Sequence, residues 1–164
     1  MIASDFVLPK TVKTEGDASD RYAKFVVEPF ERGYGTTLGN SLRRVLLASL
    51  EGSAVTAIRI ENVPHEFSGI PGVYEDVTDI VLNFKRCQLR LNRSEPLIFT
   101  FKHKGEGPVV AQDIFKGHDV DVFNPDHVVF TCTADSAAIE MEIKVAKGRG
   151  YVTAEQLQME HAPL

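Results

Sequence analysis

The sequence predicts an α+β fold: a strand and a helix first, then a mostly antiparallel sheet that carries a second helix near its start. Three observations predict it. Apolar residues take helical spacing in only two places, within 33–52 and within 74–85. From residue 86 onward the apolar period becomes two. The short runs that follow are separated by NRSEP, KGEGP and NPD, which are turn sequences. No helical pattern follows residue 85, so the repeated β-α-β units of a parallel sheet are not expected.

Taken in order, residues 11–20, TVKTEGDASD, are polar and read as a turn or mobile loop. YAKFVVEP (22–29) alternates Ala23, Phe25 and Val27 against Tyr22, Lys24, Val26 and Glu28 and reads as a strand stopped by Pro29. GYGTTLGNSLRRVLLASLEG (33–52) follows as turn and helix, with Thr36 or Thr37 as the N-cap and Gly52 as the C-terminal stop. SAVTAIRIENV (53–63) is a second strand, and PHEFSGIPGV (64–73), with two prolines and two glycines, is a loop. YEDVTDIVLNFK (74–85) sets Val77, Ile80, Val81 and Phe84 on one helical face, with Glu75 and Asp76 in the first turn, where the helix dipole favours negative charge. RCQLRLN, PLIFTFKH, DVDVF, HVVFTCT and AIEMEIKVA are short strands. In the last, Ile139, Met141, Ile143 and Val145 face inward, while Glu140, Glu142 and Lys144 face outward. The count is two helices and about seven strands.

A chain of 164 residues, 43% hydrophobic and 25% charged, is long enough to bury a core. Its net charge of -5 argues against a protein that wraps nucleic acid non-specifically, because phosphate contacts need a basic surface. MIASDFVLPK is no secretory signal, and no apolar run approaches a membrane span. Cys87 and Cys132 have no CxxC partner and lie in apolar, strand-like runs, so both read as reduced core thiols, and the expected compartment is the cytoplasm.

The 33–52 stretch raises the question of a phosphate loop. Gly33, Gly35 and Gly39 spell GxGxxxG after a strand and before a helix, but a dinucleotide fingerprint is GxGxxG within repeated β-α-β units. The helix says more. At about 100° per residue, Leu38, Leu42, Val45, Leu46 and Leu50 fall on one arc. Gly39 lies on that arc, where a missing side chain lets another backbone come close. Asn40, Arg44 and Leu47 lie on the far side, so the helix either packs twice or carries Leu47 as a stray surface leucine.

Other chemistry is sparse. Glu75, Asp76 and Asp79 could form a metal set, but the helix-start reading is better, and no metal or cofactor is expected. His65-Glu66 is the best acid-base candidate, a lone pair on a loop with no nucleophile motif beside it. Lys102, Lys104, Lys144, Lys147 and Arg149 could form a basic patch, which solvated strand faces explain as well. One reading of the chain is a nucleotide- or nucleic-acid-binding module that uses the Gly33–Gly39 turn and these basic residues.

Residues 25–85, FVVEPFERGYGTTLGNSLRRVLLASLEGSAVTAIRIENVPHEFSGIPGVYEDVTDIVLNFK, closely resemble the N-terminal domain of the bacterial RNA polymerase alpha subunit family. LGNSLRRVLL, HEFS and GVYEDVTDIVLNFK occur together and in order, and KVAKGRGYV at 144–152 extends the resemblance to nearly the whole chain. The resemblance implies a non-catalytic scaffold. Two alpha subunits dimerise and recruit the beta and beta-prime subunits for DNA-templated transcription, in the cytoplasm and, as part of the polymerase, at the nucleoid. It implies a dimer interface of Leu38, Gly39, Leu42, Val45, Leu46 and Leu50. It places Arg44, Leu47 and Lys85, with Asn40, Arg43, His65 and Phe67, in the large-subunit contact, and it implies no nucleotide at the glycines.

The resemblance also implies a discontinuous dimerisation subdomain, with 1–52 as its first half and 53–164 as an inserted sheet subdomain. Measured against the family, the chain ends inside the insert or just past its last strands, before the returning segment and before the DNA-binding domain. A truncated form without direct DNA contact is expected, its residues 1–52 poorly ordered or packed against another copy.

Overall fold

The computed structural model describes residues 7–19 and 22–160. The chain divides into two compact units, one ending at Ser49 and one beginning at Leu50. The fold is α+β, with four helices and nine strands among the described residues.

In the first unit, β1 (Val12–Ser19) pairs antiparallel with β2 (Tyr22–Val27), Val12 opposite Val27. The loop expected over 11–20 is therefore a strand from Val12 to Ser19, and residue 20 lies outside the described residues. All eight residues of β1 are exposed, so no apolar face marks it as a strand in the sequence. Gly16, at φ +76°, sits where the register shifts between Glu15 and Ser19. Helix α1 spans Tyr34–Ser49.

The start and stop of α1 differ from expectation. Gly33, at φ +88°, turns the chain into the helix, and its carbonyl accepts from Thr37 N at 3.5 Å. Thr36 and Thr37 thus lie within the helix and do not cap it. The helix ends at Ser49, Leu50 follows it, and Gly52 belongs to the next strand, opposite Gly148.

The second unit opens with β3 (Glu51–Ile60) and, after the 61–76 connection, α2 (Val77–Arg86). It continues with β4 (Leu89–Leu91), β5 (Leu97–Lys104), β6 (Gly107–Val110), α3 (Ala111–Phe115), β7 (Val120–Val122), β8 (Val128–Cys132), β9 (Ala138–Arg149) and α4 (Ala154–Glu160). Five strands form one antiparallel sheet in the order β5-β9-β3-β4-β7, while β6 and β8 pair apart. Helix α2 forms as its pattern predicts. Val77, Ile80 and Phe84 are buried and Val81 is half-buried against the same core, which also takes Phe99, Phe115, Phe130 and the inward residues of β9. Asp76 is its N-cap, accepting from Asp79 N at 2.7 Å. Glu75 stands outside the first turn and accepts from Thr131 N at 2.6 Å and Thr131 Oγ1 at 3.2 Å.

Three elements of this unit lie outside the sequence expectation. β6 occupies the end of the KGEGP turn and pairs with β8. α3 is a five-residue helix, too short to show a period. α4 starts on a capping box, with Gln156 N donating to Thr153 Oγ1 at 3.3 Å and Thr153 N donating to Gln156 Oε1 at 3.2 Å. In β9, Ile139, Met141, Ile143 and Val145 are buried as expected, but so is Lys144, which the alternation placed on the wet face.

Candidate subunit-contact surfaces

Helix α1 carries most of the predicted contact residues, and its geometry sorts them. Leu38, Gly39, Leu42, Val45 and Leu46 share one side at i, i+1, i+4, i+7 and i+8. Asn40, Arg43, Arg44 and Leu47, at i, i+3, i+4 and i+7, share the other. Leu50 lies just past the helix, which ends at Ser49. None of the sixteen helical residues is buried; Leu46 is 57% and Leu47 66% exposed, and Leu38 alone of the helix is half-buried. A Cβ added at Gly39 would meet nothing within 4 Å. The helix thus presents two uncovered faces, one aliphatic and one carrying two guanidinium groups around Leu47.

The remaining predicted residues stand on the second unit. His65 and Phe67 lie in the connection before α2, and Lys85 is exposed in the last turn of α2. The His65 loop is closed by Ser68, whose N–H donates to His65 O at 3.1 Å and whose Oγ is hydrogen-bonded to His65 Nδ1 at 3.1 Å. Phe67 is 77% exposed and its ring lies 6.4 Å from that of His65. Tyr74, not singled out in the sequence, is 81% exposed on a backbone fixed by Tyr74 N donating to Thr131 O at 2.9 Å. Its signal was tertiary, because only the pairing with β8 turns this side chain outward on a fixed strand-like segment.

The competing chemistries are accounted for by structural contacts. Gly35 and Gly39 are helical, so Gly33 alone turns ahead of α1 and no glycine loop stands there to cradle a phosphate. Asp76 caps α2 and Glu75 holds Thr131, which separates the acidic run into two structural roles; no cluster of three metal-ligating side chains occurs among the described residues. The exposed His65 is engaged by Ser68, and Thr78 Oγ1 donates to the main chain at Glu66. The basic residues do not act as one patch: Lys102 pairs with Glu140 at 2.8 Å, Arg149 lies 3.9 Å from Glu51, and Lys144 is buried. The hydrogen bond and charge of Glu140 hold the Lys102 ammonium above its usual range. Cys87 and Cys132 are both free and buried; burial pushes the Cys87 thiol up to about 11, and burial together with the charge of Glu75 raises Cys132. Neither is poised as a nucleophile. No helix among the described residues is long and apolar enough to cross a membrane.

The pattern of the family described as the RNA polymerase Rpb3/RpoA insert domain matches residues 58–163. The chain belongs to that family. It is similar to the DNA-directed RNA polymerase subunit alpha of Pelobacter propionicus, 50% identical over 161 residues, 98% of this chain and 47% of that protein. Subunit alpha of Alkaliphilus oremlandii is 48% identical over 164 residues, 100% of this chain and 51% of that protein. Subunit alpha of Symbiobacterium thermophilum is 53% identical over 143 residues, 87% of this chain and 45% of that protein. The chain spans about half the length of these curated relatives. The match to the insert-domain family falls wholly within the second unit, whereas the identity to the alpha subunits extends over α1 as well.

Proposed function

We propose that this chain is a non-catalytic assembly subunit of a bacterial DNA-directed RNA polymerase, working in the cytoplasm and, within the polymerase, at the nucleoid. It pairs with a second copy through Leu38, Gly39, Leu42, Val45, Leu46 and Leu50. It presents Arg44, Leu47, Asn40 and Arg43, with Lys85, His65 and Phe67, to the beta and beta-prime subunits. The observation that carries this reading is α1: a sixteen-residue helix with no buried side chain, aliphatic on one side and arginine-bearing on the other. Uncovered apolar surface of this kind marks a protein-protein contact. In the same reading, residues up to 52 form half of a dimerisation subdomain and the remainder is the inserted sheet subdomain.

Arg44→Ala tests the large-subunit contact. As an exposed substitution it is expected to change folding stability by no more than about half a kcal/mol, while the protein loses recovery of the beta subunit in a pull-down from co-expressing cells. Recovery of the beta complex at the normal level would overturn the role of Arg44.

A further inference from the structure

The C-terminal end of α2 is tied to the loop that follows β7, and the junction carries an aromatic ring among cations. Residues 80–94 hold Lys85, Arg86, Arg90 and Arg93 and no acid, in a chain whose net charge is -5. Two of these cations are matched. Arg93 Nη2 lies 3.4 Å from Glu95 Oε2, and Arg90 reaches Asp121 Oδ2 with Nε at 3.0 Å and Nη2 at 2.7 Å. Lys85 and Arg86 are exposed and stand in no ion pair among the described residues. The loop is fixed to the helix end. Asn124 Nδ2 donates to Arg86 O at 3.0 Å, Asn124 Oδ1 accepts from Gln88 N at 2.8 Å, and His127 Nε2 is hydrogen-bonded to Asn83 O at 2.9 Å. Phe123 N donates to Gln88 O at 2.9 Å, and the Phe123 ring, 53% exposed, has its centroid 5.4 Å from Arg90 Cζ. Hydrogen bonds from Arg90 and Asn92 hold the Asp121 carboxyl below its usual range, so the pair that orients this guanidinium stays charged. Leu82, also exposed, stands one turn before Lys85 and Arg86 on α2.

An exposed ring on a fixed backbone, stacked by a guanidinium that is itself held, has little freedom left to lose on binding. Such aromatic and arginine side chains are the usual anchors of interfaces. The strip runs apolar, basic, apolar: Leu82, then Lys85 and Arg86, then Phe123. We infer that it receives a segment of one of the larger polymerase subunits in which an aspartate or glutamate is flanked by apolar side chains, the carboxylate meeting Arg86 and Lys85 and the apolar groups covering Phe123 and Leu82. A carboxylate matches the arginine fork with two parallel hydrogen bonds. A nucleic acid strand fits worse, because the carboxylates of Asp121 and Asp126 flank Phe123 along the chain and Leu82 offers nothing to a phosphate. The inference rests on the reading of the chain as an assembly subunit. It adds Arg86, Phe123 and Leu82 to Lys85 and states the chemistry of what they meet.

Photo-crosslinking in the assembled polymerase tests it. With Phe123→p-benzoylphenylalanine, the excited ketone inserts into a C–H bond of whatever lies against the ring. The expected product joins this position to a peptide of a larger subunit that contains an aspartate or glutamate. Arg86→Glu is expected to weaken recovery of the larger subunits about tenfold in a pull-down titration, the scale of one interfacial charge pair, and changing the acid of the cross-linked peptide to lysine should restore it. A cross-link to the same chain, to a second copy, to nucleic acid or to a peptide without an acid overturns the inference. So does an assembled complex with no cross-link, or Arg86→Glu binding at the parental level. Should Arg86→Glu fail to fold, the cross-link decides alone. Failure of the wild-type protein to join the larger subunits at all would sink the assembly reading and this contact with it, an outcome distinct from an assembled complex lacking the cross-link.

Discussion

Helix α1 and strand β9 put their apolar residues to opposite uses. In β9, Ile139, Met141, Ile143 and Val145 are at most 4% exposed and lie at the centre of the core with Phe130 and Ile80. In α1, Leu42, Val45, Leu46 and Leu47 are each more than half exposed, and the helix has no buried residue. Both patterns were periodic; that of β9 placed its four apolar residues on the buried face, while no face of α1 is buried. Periodicity therefore tells which side chains share a face; whether the chain itself covers that face is decided by what else the chain has to lay against it. For β9 the answer is α2, β8 and the neighbouring strands. For α1, the answer proposed above is another molecule.

Hydrogen exchange gives the widest test of that contrast. Amides of β9 that pair with both β3 and β5 are expected to exchange only with opening of the whole sheet unit, those of residues 36–49 by local opening. A gap of about 4 kcal/mol between the two routes corresponds to roughly a thousandfold in protection. Slow exchange throughout α1 in a dilute, demonstrably monomeric sample would break the comparison.

The next largest effect lies in the covered region. Phe84 is 3% exposed on the inner side of α2, and Phe84→Ala is expected to cost about 3–5 kcal/mol. An unchanged melting curve would mean that α2 does not seat this ring in the core. A leucine of α1 treated the same way in the monomer should cost far less, since its surface is already in water.

What was legible follows the same division. Helix α2 was readable because its apolar stripe and its partner sheet agree, Val77, Ile80 and Phe84 being buried; its start was not, since Asp76, read as first turn, is the N-cap. β9 was readable except at Lys144, which is buried on the face the alternation leaves wet; its cross-strand neighbours Ile98 and Ala57 are set by register, which no single strand shows. β1 was not readable, because a hairpin exposed on both faces has no reason to alternate. α3 is too short for a period, while α4 did carry a signal, the Thr153–Gln156 box. Of the proposed contact surface, the two faces of α1 followed from helix geometry alone. The fixing of the 64–76 connection did not, since Glu75 and Tyr74 are held by Thr131, more than fifty residues away.

A glycine in each unit sharpens the contrast at smaller scale. Gly72 has φ +78°, and a Cβ there would stand 2.8 Å from Ala137 Cβ. Its carbonyl also accepts from Thr133 N at 2.8 Å, which ties the connection to the end of β8. Gly72→Ala is expected to cost about 1–3 kcal/mol from the left-handed backbone alone, with the contact to Ala137 adding to it. A variant as stable as the parent in urea unfolding would show that this connection is free to shift.

Gly39 is the opposite case and gives the smallest effect on folding. It is helical, and a Cβ there meets nothing within 4 Å in the chain, so nothing intramolecular requires glycine. Alanine is the better helix former by about 1 kcal/mol, and Gly39→Ala is expected to stabilise α1 in the monomer by up to that amount, read as a rise in helical circular dichroism. If a second copy lays its backbone against this side of α1, the same methyl group holds the two helices apart. Self-association measured by sedimentation should then weaken while the monomer grows more helical. The two readouts moving in opposite directions are the signature of a glycine kept for a partner. Association that is unchanged or tighter in Gly39→Ala would show that no backbone approaches the helix there, and the proposed interface would have to leave Gly39 out.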